Sequence, residues 1–318
     1  MHAISTTKHS AFGGSVRLGI IFWGCIMKIA VGVATCGRKA ILASMIDRLA
    51  TQARKPDHLF LCPTKDDDID MARLSSAPFP VTILSSPQGS CPQRNAIIDA
   101  AVGIDVVVFF DDDFFPATNY LAETEALFEA DEDIVVATGE VVRDGILGPG
   151  LTADEADAAL AADATPFPAP TIEATHNAYG CNMIFRRKAM LANGIYFDED
   201  LPLYAWQEDV DLCRRLRPFG KIVKFNRLRG VHLGVKTGRT SGLRLGYSQV
   251  ANPLYLVKKR SVSLKWALKL MGGNIASNVV GSVSPPPYID RRGRLQGNLL
   301  AVSHLLSGSL DPKYINRM

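Results

Sequence analysis

The fold is decided by the segment VVVFFDDDFFP, residues 106–116. Its first five residues are apolar and three of them are β-branched, a pattern typical of a strand buried on both faces in a parallel sheet. Three aspartates, Asp111, Asp112 and Asp113, follow directly at the carboxyl end of that strand. Ligands of open α/β sheets bind in the crevice beyond the carboxyl ends of the strands, so the sequence places an acidic cluster at a typical ligand site.

The acidic cluster predicts a divalent cation. Three adjacent carboxylates repel one another, and a bound cation would relieve that repulsion. Hard oxygen donors suit Mg²⁺ or Mn²⁺, particularly when diphosphate oxygens complete the coordination shell. The alternative is a solvated acidic turn before a helix that begins after Pro116. The buried strand before the cluster and a second acidic site downstream favour the cation site.

Length and composition indicate a globular enzyme rather than a membrane-spanning protein. A chain of 318 residues can form one large α/β domain, or such a domain with a smaller appendage. The mean hydropathy of +0.09 lies slightly to the apolar side for a soluble enzyme, yet no run approaches the roughly 20 apolar residues that a membrane span requires. A first core strand begins soon after Met27, so we interpret Met27 as the natural start and residues 1–26 as an N-terminal extension.

The cysteines indicate the redox compartment of the protein, and the charges indicate the class of its partner. Six cysteines are scattered without paired spacing, which excludes a zinc pattern or a disulfide framework and fits a reducing cytosol. The net charge of +3 hides an asymmetry, because residues 214–294 contain eighteen Lys or Arg and one acid, Asp290. Such a region predicts an anionic partner: a nucleotide diphosphate, lipid headgroups or nucleic acid.

The order of predicted elements is that of a doubly wound α/β sheet. Apolar runs predict strands near residues 29–34, 58–61, 81–84, 106–110 and 134–138, and periodic or capped segments predict helices between most of them. The pattern changes at residues 144–175, where Thr152 to Ala164 predicts a surface helix. Three prolines stiffen the loop after it, and this segment could cover a cleft.

A second acidic site follows a strand predicted at residues 178–185. Val210, Cys213 and Leu216 share one helical face, which predicts a helix that begins near Gln207 and exposes the next two acids at its N-terminus. Strands are then predicted at 222–225 and 228–233, and His232 lies near the end of the second. The loop at residues 234–242 is cationic and rich in hydroxyls, as a diphosphate site requires.

Together, the apolar strand with its acid trio, the pair Glu208-Asp209, and His232 with its basic loop resemble the inverting glycosyltransferases of family 2. These enzymes have the GT-A nucleotide-sugar-binding fold. The resemblance covers roughly residues 27–260 and implies a GT-A domain there, with residues 261–318 as a C-terminal helical extension.

The resemblance implies a role for each acidic residue. The Asp-x-Asp motif, here Asp111 and Asp113, would hold the divalent ion and the ribose and diphosphate of the donor. The Glu-Asp pair would supply the general base, which by position is Asp209, and Glu208 would orient the acceptor or that base. His232 is a candidate metal or diphosphate ligand. The further candidates for donor binding are Thr35, Arg38, Arg94, Asp112, Lys236 and Arg239.

The reaction requires these residue types. A leaving nucleoside diphosphate develops negative charge, which a metal and cationic side chains stabilise. The acceptor hydroxyl must lose its proton as it attacks the anomeric carbon, and a carboxylate within about 2.6–3.2 Å can take that proton. Structural roles stay open for the same residues: the Glu-Asp pair could cap a helix, His232 could be a satisfied strand residue, Lys236 and Arg239 could face water or lipid, and Arg94 could form an ion pair.

One departure from the family concerns the nucleobase. Family members usually carry an Asp-rich turn directly after the second strand, whereas Cys62-Pro63-Thr64-Lys65 precede Asp66 in this chain. The nucleobase is therefore left open by the sequence: a UDP-sugar is the default expectation for the donor, and GDP- and dTDP-sugars are the alternatives. The implied cofactor is Mn²⁺ or Mg²⁺. The implied acceptor is a growing glycan or a lipid-linked saccharide of a cell-surface polysaccharide, made in the cytoplasm or at the cytoplasmic face of the inner membrane.

The segment after Arg260 alternates apolar residues with lysines. Leu264, Trp266 and Leu270 stand among Lys265 and Lys269, which predicts an amphipathic helix lying on an anionic membrane surface. The alternative is a helix packed on the catalytic domain.

Three other classes of function compete with the transferase. A phosphohydrolase with an Asp nucleophile would usually carry a hydroxyl or small residue where Phe115 stands. A non-catalytic protein of the same fold is disfavoured because both acidic sites are intact. A nucleic-acid-binding protein would have aromatic residues interleaved with its cations, and between the cations of residues 236–269 only Tyr247, Tyr255 and Trp266 are present. We therefore expect no nucleic-acid partner.

Overall fold

The computed structural model describes residues 27–164 and 169–318 of the chain. The expected N-terminal extension, residues 1–26, and part of the proline-containing loop lie outside the described residues. The strands are β1 Ile29–Thr35, β2 His58–Pro63, β3 Val81–Ile83, β4 Val106–Phe110, β5 Phe114–Pro116, β6 Ile134–Asp144, β7 Ile172–Ala174, β8 Asn182–Arg186 and β9 Lys221–His232. The helices are α1 Lys39–Thr51, α2 Met71–Ser75, α3 Ser90–Ala100, α4 Tyr120–Ala130, α5 Ala153–Asp163, α6 Arg187–Ala192, α7 Glu208–Leu216, α8 Gly242–Lys258, α9 Leu264–Gly281 and α10 Arg291–Leu306.

The strands form one nine-stranded mixed sheet in the order β3-β2-β1-β4-β8-β6-β9-β5, with β7 paired to β9. The first half is parallel, because β1 pairs in parallel with both β2 and β4. Antiparallel pairing begins where β8 joins β4. All five residues of β4 are buried, since apolar cores cover both faces of the sheet. The predicted fold, a doubly wound mixed sheet flanked by helices, is confirmed.

The acid trio forms a tight turn between two strands. The backbone N–H of Phe114 donates to the carbonyl of Asp111 at 3.0 Å, and β5 then pairs antiparallel with the end of β9. Phe114 is fully buried and stacks on Phe110, with ring centroids 5.1 Å apart. Because Phe114 and Phe115 are buried, the segment after the acid trio forms strand β5 instead of leading directly into a helix. Helix α4 begins only at Tyr120.

The long pair β6 and β9 differs from the sequence prediction. The two strands predicted at 222–225 and 228–233 are one continuous strand of 12 residues. Strand β6 continues past its predicted end at Thr138 to Asp144, because it pairs in parallel with β9 along its length. Register shifts between Thr138 and Glu140 and between Val141 and Arg143 accommodate the irregular pairing. The carboxyl ends of β6 and β9 consequently lie together.

The C-terminal helices pack on one another. A small core that includes Tyr247 of α8, Met271 of α9 and Ala301 of α10 joins the three helices. Helices α8 and α10 approach closely at Gly246 and Gly297, where an added Cβ would lie within 2.1 Å of backbone atoms of the facing helix. Within residues 27–164 and 169–318, no helix is long and apolar enough to cross a bilayer.

Candidate active site

The two acidic groups that are distant in sequence meet at one arginine. Arg94 of α3 is buried and donates from Nη1 to Glu208 Oε1 at 2.5 Å and from Nη2 to Asp111 Oδ1 at 3.1 Å. The acid trio at the end of β4 and the Glu-Asp pair at the start of α7 therefore border one site. The sequence left open that Arg94 forms an ion pair instead of binding the donor. Arg94 does form ion pairs, and they lie within the site rather than on the surface.

Three side chains are arranged as metal ligands. Asp111, Asp113 and His232 each offer one ligand atom, and these atoms all lie within 4.8 Å of one another. Asp113 is buried, and its Oδ2 accepts from the backbone N–H of Val235 at 2.8 Å, but its Oδ1 has no hydrogen-bond partner. A buried carboxylate oxygen without a partner costs free energy that a bound cation would recover. Two carboxylates and an imidazole therefore fit a divalent ion.

Asp144 orients the His232 ring and is a residue that the sequence reasoning missed. Its Oδ1 lies 2.9 Å from His232 Nδ1, and its Oδ2 accepts from the Tyr179 hydroxyl at 2.8 Å. A carboxylate on one ring nitrogen directs the other toward the metal, and Nε2 lies 3.5 Å from Asp113 Oδ1. The signal was the apolar pair Val141-Val142, which extends β6 far enough to bring Asp144 beside the end of β9.

The electrostatics of this cluster favour positive charge between the carboxylates. Burial alone would raise the pKa of Asp113, but His232 and Arg38 lower it to about 2. Burial alone would lower the pKa of His232, whereas Asp113 and Asp144 raise it to about 10. The protonated ring and a metal ion would satisfy the same negative potential, so metal binding would displace the proton from His232.

Asp112 points away from this cluster. It is buried, and its carboxylate accepts from Thr35 Oγ1 at 2.7 Å and from Arg38 Nη1 at 2.8 Å. Burial raises the pKa of Asp112 to about 6, although Arg38 opposes the shift. Arg38 also donates from Nε to the carbonyl of Thr237 at 2.9 Å. Asp112, Thr35 and Arg38 thus tie the end of β1 to the loop that follows β9.

The basic loop, residues 234–241, lies over the end of the sheet. Lys236 donates from Nζ to the carbonyls of Gly145 at 3.1 Å and Ile146 at 2.9 Å. Burial, together with the nearby charge of Arg239, lowers the pKa of Lys236 to about 8. Arg239 is exposed and donates from Nε to the carbonyl of Val235 at 2.7 Å. Lys236 therefore holds the loop in place, while the charge of Arg239 interacts with Asp113 and Asp144 of the site.

A strained turn presents the Glu-Asp pair. Leu203, Ala205 and Gln207 have φ values of 55°, 54° and 79°, which are left-handed conformations that L-residues rarely adopt. Helix α7 begins directly after this turn at Glu208. Backbone strain of this kind persists only where the surrounding structure enforces it, and it concentrates at functional sites. The turn therefore directs the first two side chains of α7 into the site.

The two acids of the pair have different surroundings. Glu208 is buried against Arg94, and burial raises its pKa to about 7, with Asp209 adding to the shift and Arg94 opposing it. Asp209 is half-buried, and burial raises its pKa as well. Its Oδ1 accepts from the N–H of Val210 at 2.8 Å. Its Oδ2 faces Gly180, where an added Cβ would lie 3.6 Å away.

The carboxylate after β2 has a local role. Asp68 is buried and accepts from the backbone N–H of Gly37 at 2.8 Å and from Thr64 Oγ1 at 2.6 Å. Asp66 and Asp67 are exposed. The turn after β2, where this chain departs from the family pattern, therefore buries Asp68, and the carboxylate of Asp68 is already hydrogen-bonded within the protein.

The fold is similar to that of solved structures that include a mannosyltransferase. The structure of S. aureus TarS 1–349 has a TM-score of 0.53 and 13% identity over 92% of this chain and 87% of that chain. The Pyrobaculum calidifontis mannosyltransferase PcManGT, in complex with GDP-Man and Mn²⁺, has a TM-score of 0.53 and 14% identity over 91% and 85%. The chain has the GT-A fold.

A third GT-A structure, GalNAc-T7 with UDP, GalNAc and Mn²⁺, has a TM-score of 0.54 and 14% identity over 90% of this chain. The chain spans 59% of GalNAc-T7 and 40% of a longer S. aureus TarS structure. No family model matches the sequence, and no curated protein matches it. At these identities the GT-A likeness establishes the fold, and the chemistry is argued from the side chains above.

Proposed function

We propose that the protein is an inverting, metal-dependent glycosyltransferase of family 2. It would transfer a sugar from a nucleoside-diphosphate sugar to a hydroxyl group of a saccharide. The observation that carries the proposal is the contact of Arg94 with both Asp111 and Glu208, because it unites the metal-ligand cluster and the Glu-Asp pair in one site. The solved neighbours support it, since their structures contain UDP-GlcNAc, GDP-Man or UDP, with Mn²⁺ in two of them.

In this proposal Asp111, Asp113 and His232 hold Mn²⁺ or Mg²⁺. When bound there, the ion would supply positive charge that stabilises a leaving diphosphate. Asp144 keeps the His232 ring oriented, and the Asp113 oxygen that lacks a partner becomes a ligand. Arg239 of the basic loop adds positive charge beside the leaving group. Lys236 reaches the diphosphate only by releasing the carbonyls of Gly145 and Ile146.

Asp209 is the proposed general base. It accepts the proton of the acceptor hydroxyl, whose oxygen bonds to the anomeric carbon as the bond from that carbon to the diphosphate breaks. Its raised pKa makes it a stronger base than an exposed aspartate. Glu208 is less suited, because its carboxylate is already engaged by Arg94. Glu208 and Arg94 instead keep the start of α7 beside the metal ligands.

The proposal extends to the donor, the acceptor and the location. A UDP-sugar is the first donor to test and a GDP-sugar the second, since structures with both nucleotides share the fold. The acceptor would be a growing glycan or a lipid-linked saccharide of a cell-surface polysaccharide, modified at the cytoplasmic side of the membrane. The phosphohydrolase alternative gains no support, because Phe115 is fully buried in the core where that chemistry would place a small or hydroxyl residue.

Thermal unfolding with a panel of nucleotides tests the proposed function. We expect UDP or GDP to raise the melting temperature only when Mn²⁺ or Mg²⁺ is present. Stabilisation by metal alone with inorganic phosphate as product would favour a phosphohydrolase, and stabilisation by oligonucleotides would favour a nucleic-acid-binding protein. If no nucleoside diphosphate stabilises the protein with either metal, the transferase proposal is wrong.

A further inference from the structure

A second, basic cavity lies at the other end of α7. Its volume is about 470 Å³, and it opens to solvent between the last turn of α7, the end of α8 and the start of α9. The residues that line it include no carboxylate. Those with polar or aromatic groups are Arg214, Arg260, Ser261, Ser263 and Trp266.

Arg214 contributes a buried donor without a partner. Its Nε is shielded from solvent and makes no hydrogen bond. Leaving that donor unsatisfied costs free energy, and Arg214 also lines the cavity, where its charge favours an anion. The nearest acid on the same helix, Asp211, is already bonded to Lys259 and Arg215, so it does not neutralise Arg214.

Arg260 occupies a position where glycine is the usual residue. The N–H of Ser261 donates to the carbonyl of Leu256, and the N–H of Arg260 donates to that of Val257, both at 2.9 Å. These two bonds form a Schellman motif, whose left-handed residue is ordinarily glycine. Arg260 has a φ of 65°. A long cationic side chain kept at a strained backbone position points to a function for that side chain.

Helix α9 adds a capped N-terminus and an exposed amphipathic face. Ser263 caps the helix by accepting from the N–H of Trp266 at 3.2 Å, so the positive end of the helix dipole adjoins the cavity. Leu264 and Leu268 are 53% and 54% exposed. These leucines lie in the first two turns of the helix, beside the cavity.

The cations around this face have no acidic partners. Within residues 27–164 and 169–318, no carboxylate pairs with Lys258, Arg260, Lys265 or Lys269. The only acid between residues 214 and 294 is Asp290. Exposed leucines beside unpaired lysines match the apolar interior and anionic headgroups of a bilayer surface.

We propose that the cavity binds the phosphate group of an anionic lipid while the exposed face of α9 lies in the headgroup region of the membrane. Arg214, Arg260 and the N-terminus of α9 would contact the phosphate. Leu264 and Leu268 would enter the acyl boundary. Because α7 carries Asp209 about 8 Å along its axis from Arg214, membrane binding would hold the candidate active site close to the lipid surface. The binding itself does not depend on the proposed transfer reaction.

Vesicle co-sedimentation of the full chain tests this proposal. We expect binding to phosphatidylcholine vesicles that contain phosphatidylserine and little binding to phosphatidylcholine alone. Arg260→Gly should weaken binding at least fivefold, the loss expected for one basic residue at such a surface. Its melting temperature should be unchanged or higher, because glycine adopts the left-handed conformation without strain. This variant therefore separates lipid binding from folding.

Matched variants complete the test. Lys265→Gln and Leu268→Ser should each reduce vesicle binding, whereas Lys188→Gln, which removes an exposed helical lysine from α6, should leave it unchanged. Equal binding by wild type and Arg260→Gly would overturn the phosphate site. Equal binding to both vesicle types would show that anionic lipids are not selected, and the proposal would fail. If inorganic phosphate or an oligonucleotide binds through Arg260 while anionic vesicles do not, the ligand is not a lipid and the proposal fails.

Discussion

The contact of Arg94 with two carboxylates can be measured as a pair of coupling energies. The Arg94–Glu208 pair is 2.5 Å long, and its side chains are 7% and 10% exposed. The Arg94–Asp111 pair is 3.1 Å long, and the Asp111 side chain is 34% exposed. Solvent screens the second pair more than the first, so most of the electrostatic coupling should belong to Glu208.

Arg94→Met leaves the Glu208 carboxylate buried without its cation. Removing one partner of a buried ion pair costs about 3–5 kcal/mol, so we expect a loss of this size in the free energy of unfolding. In the double variant Arg94→Met, Glu208→Gln much of that loss should return, with a coupling energy of about 2–3 kcal/mol. The matching cycle with Asp111→Asn should give less than about 1 kcal/mol.

Urea unfolding near pH 8 measures both cycles, since the Glu208 carboxyl, with a pKa of about 7, is mostly ionised there. Repeating the Glu208 cycle near pH 5 should reduce the coupling, because that carboxyl is then protonated. If the urea dependence of the free energy of unfolding is the same in each variant, all the proteins compared are folded. If both cycles are additive within about 0.5 kcal/mol, the buried bridge between the two acidic groups does not form and the site as described is wrong.

Four further predictions concern the same site. Asp209→Asn should reduce sugar transfer at least about 100-fold while the nucleotide dissociation constant stays nearly the same, and a lost nucleotide affinity would remove Asp209 from the role of base. Asp113→Ala should abolish metal-dependent stabilisation by nucleotide, which thermal unfolding with UDP and Mn²⁺ measures; unchanged metal dependence would refute the ligand set. Asp144→Asn should weaken Mn²⁺ affinity about 10- to 100-fold, which isothermal titration measures; unchanged affinity would refute its role in orienting His232. The pKa of Glu208 is raised from 4.5 to about 7, so the folded state binds that proton more tightly and stability should fall as pH rises through this interval. Glu208→Gln should flatten this slope in urea unfolding, and an identical slope in the variant would contradict the assignment.

Local patterns encoded much of the architecture. The apolar run of β4 and the helical spacing of α7 depend on neighbours within a few residues, so they could be read from the chain directly. The capped helix α5 is a similar case, since Thr152 and Glu155 form a capping box within one turn. The extended strand β6 could not be read this way. Its last residues form a strand because they pair with β9, which lies far along the chain.

The sequence by itself determined that two acidic groups and a histidine would stand at the ends of buried elements, because hydrophobic periodicity places element ends. Only the tertiary structure decided which side chain faces which partner. Successive residues of the acid trio diverge: Asp112 contacts Arg38, while Asp111 and Asp113 face His232. Such directions follow from strand pairing and burial across the whole sheet, and local sequence carries no record of contacts between segments about a hundred residues apart.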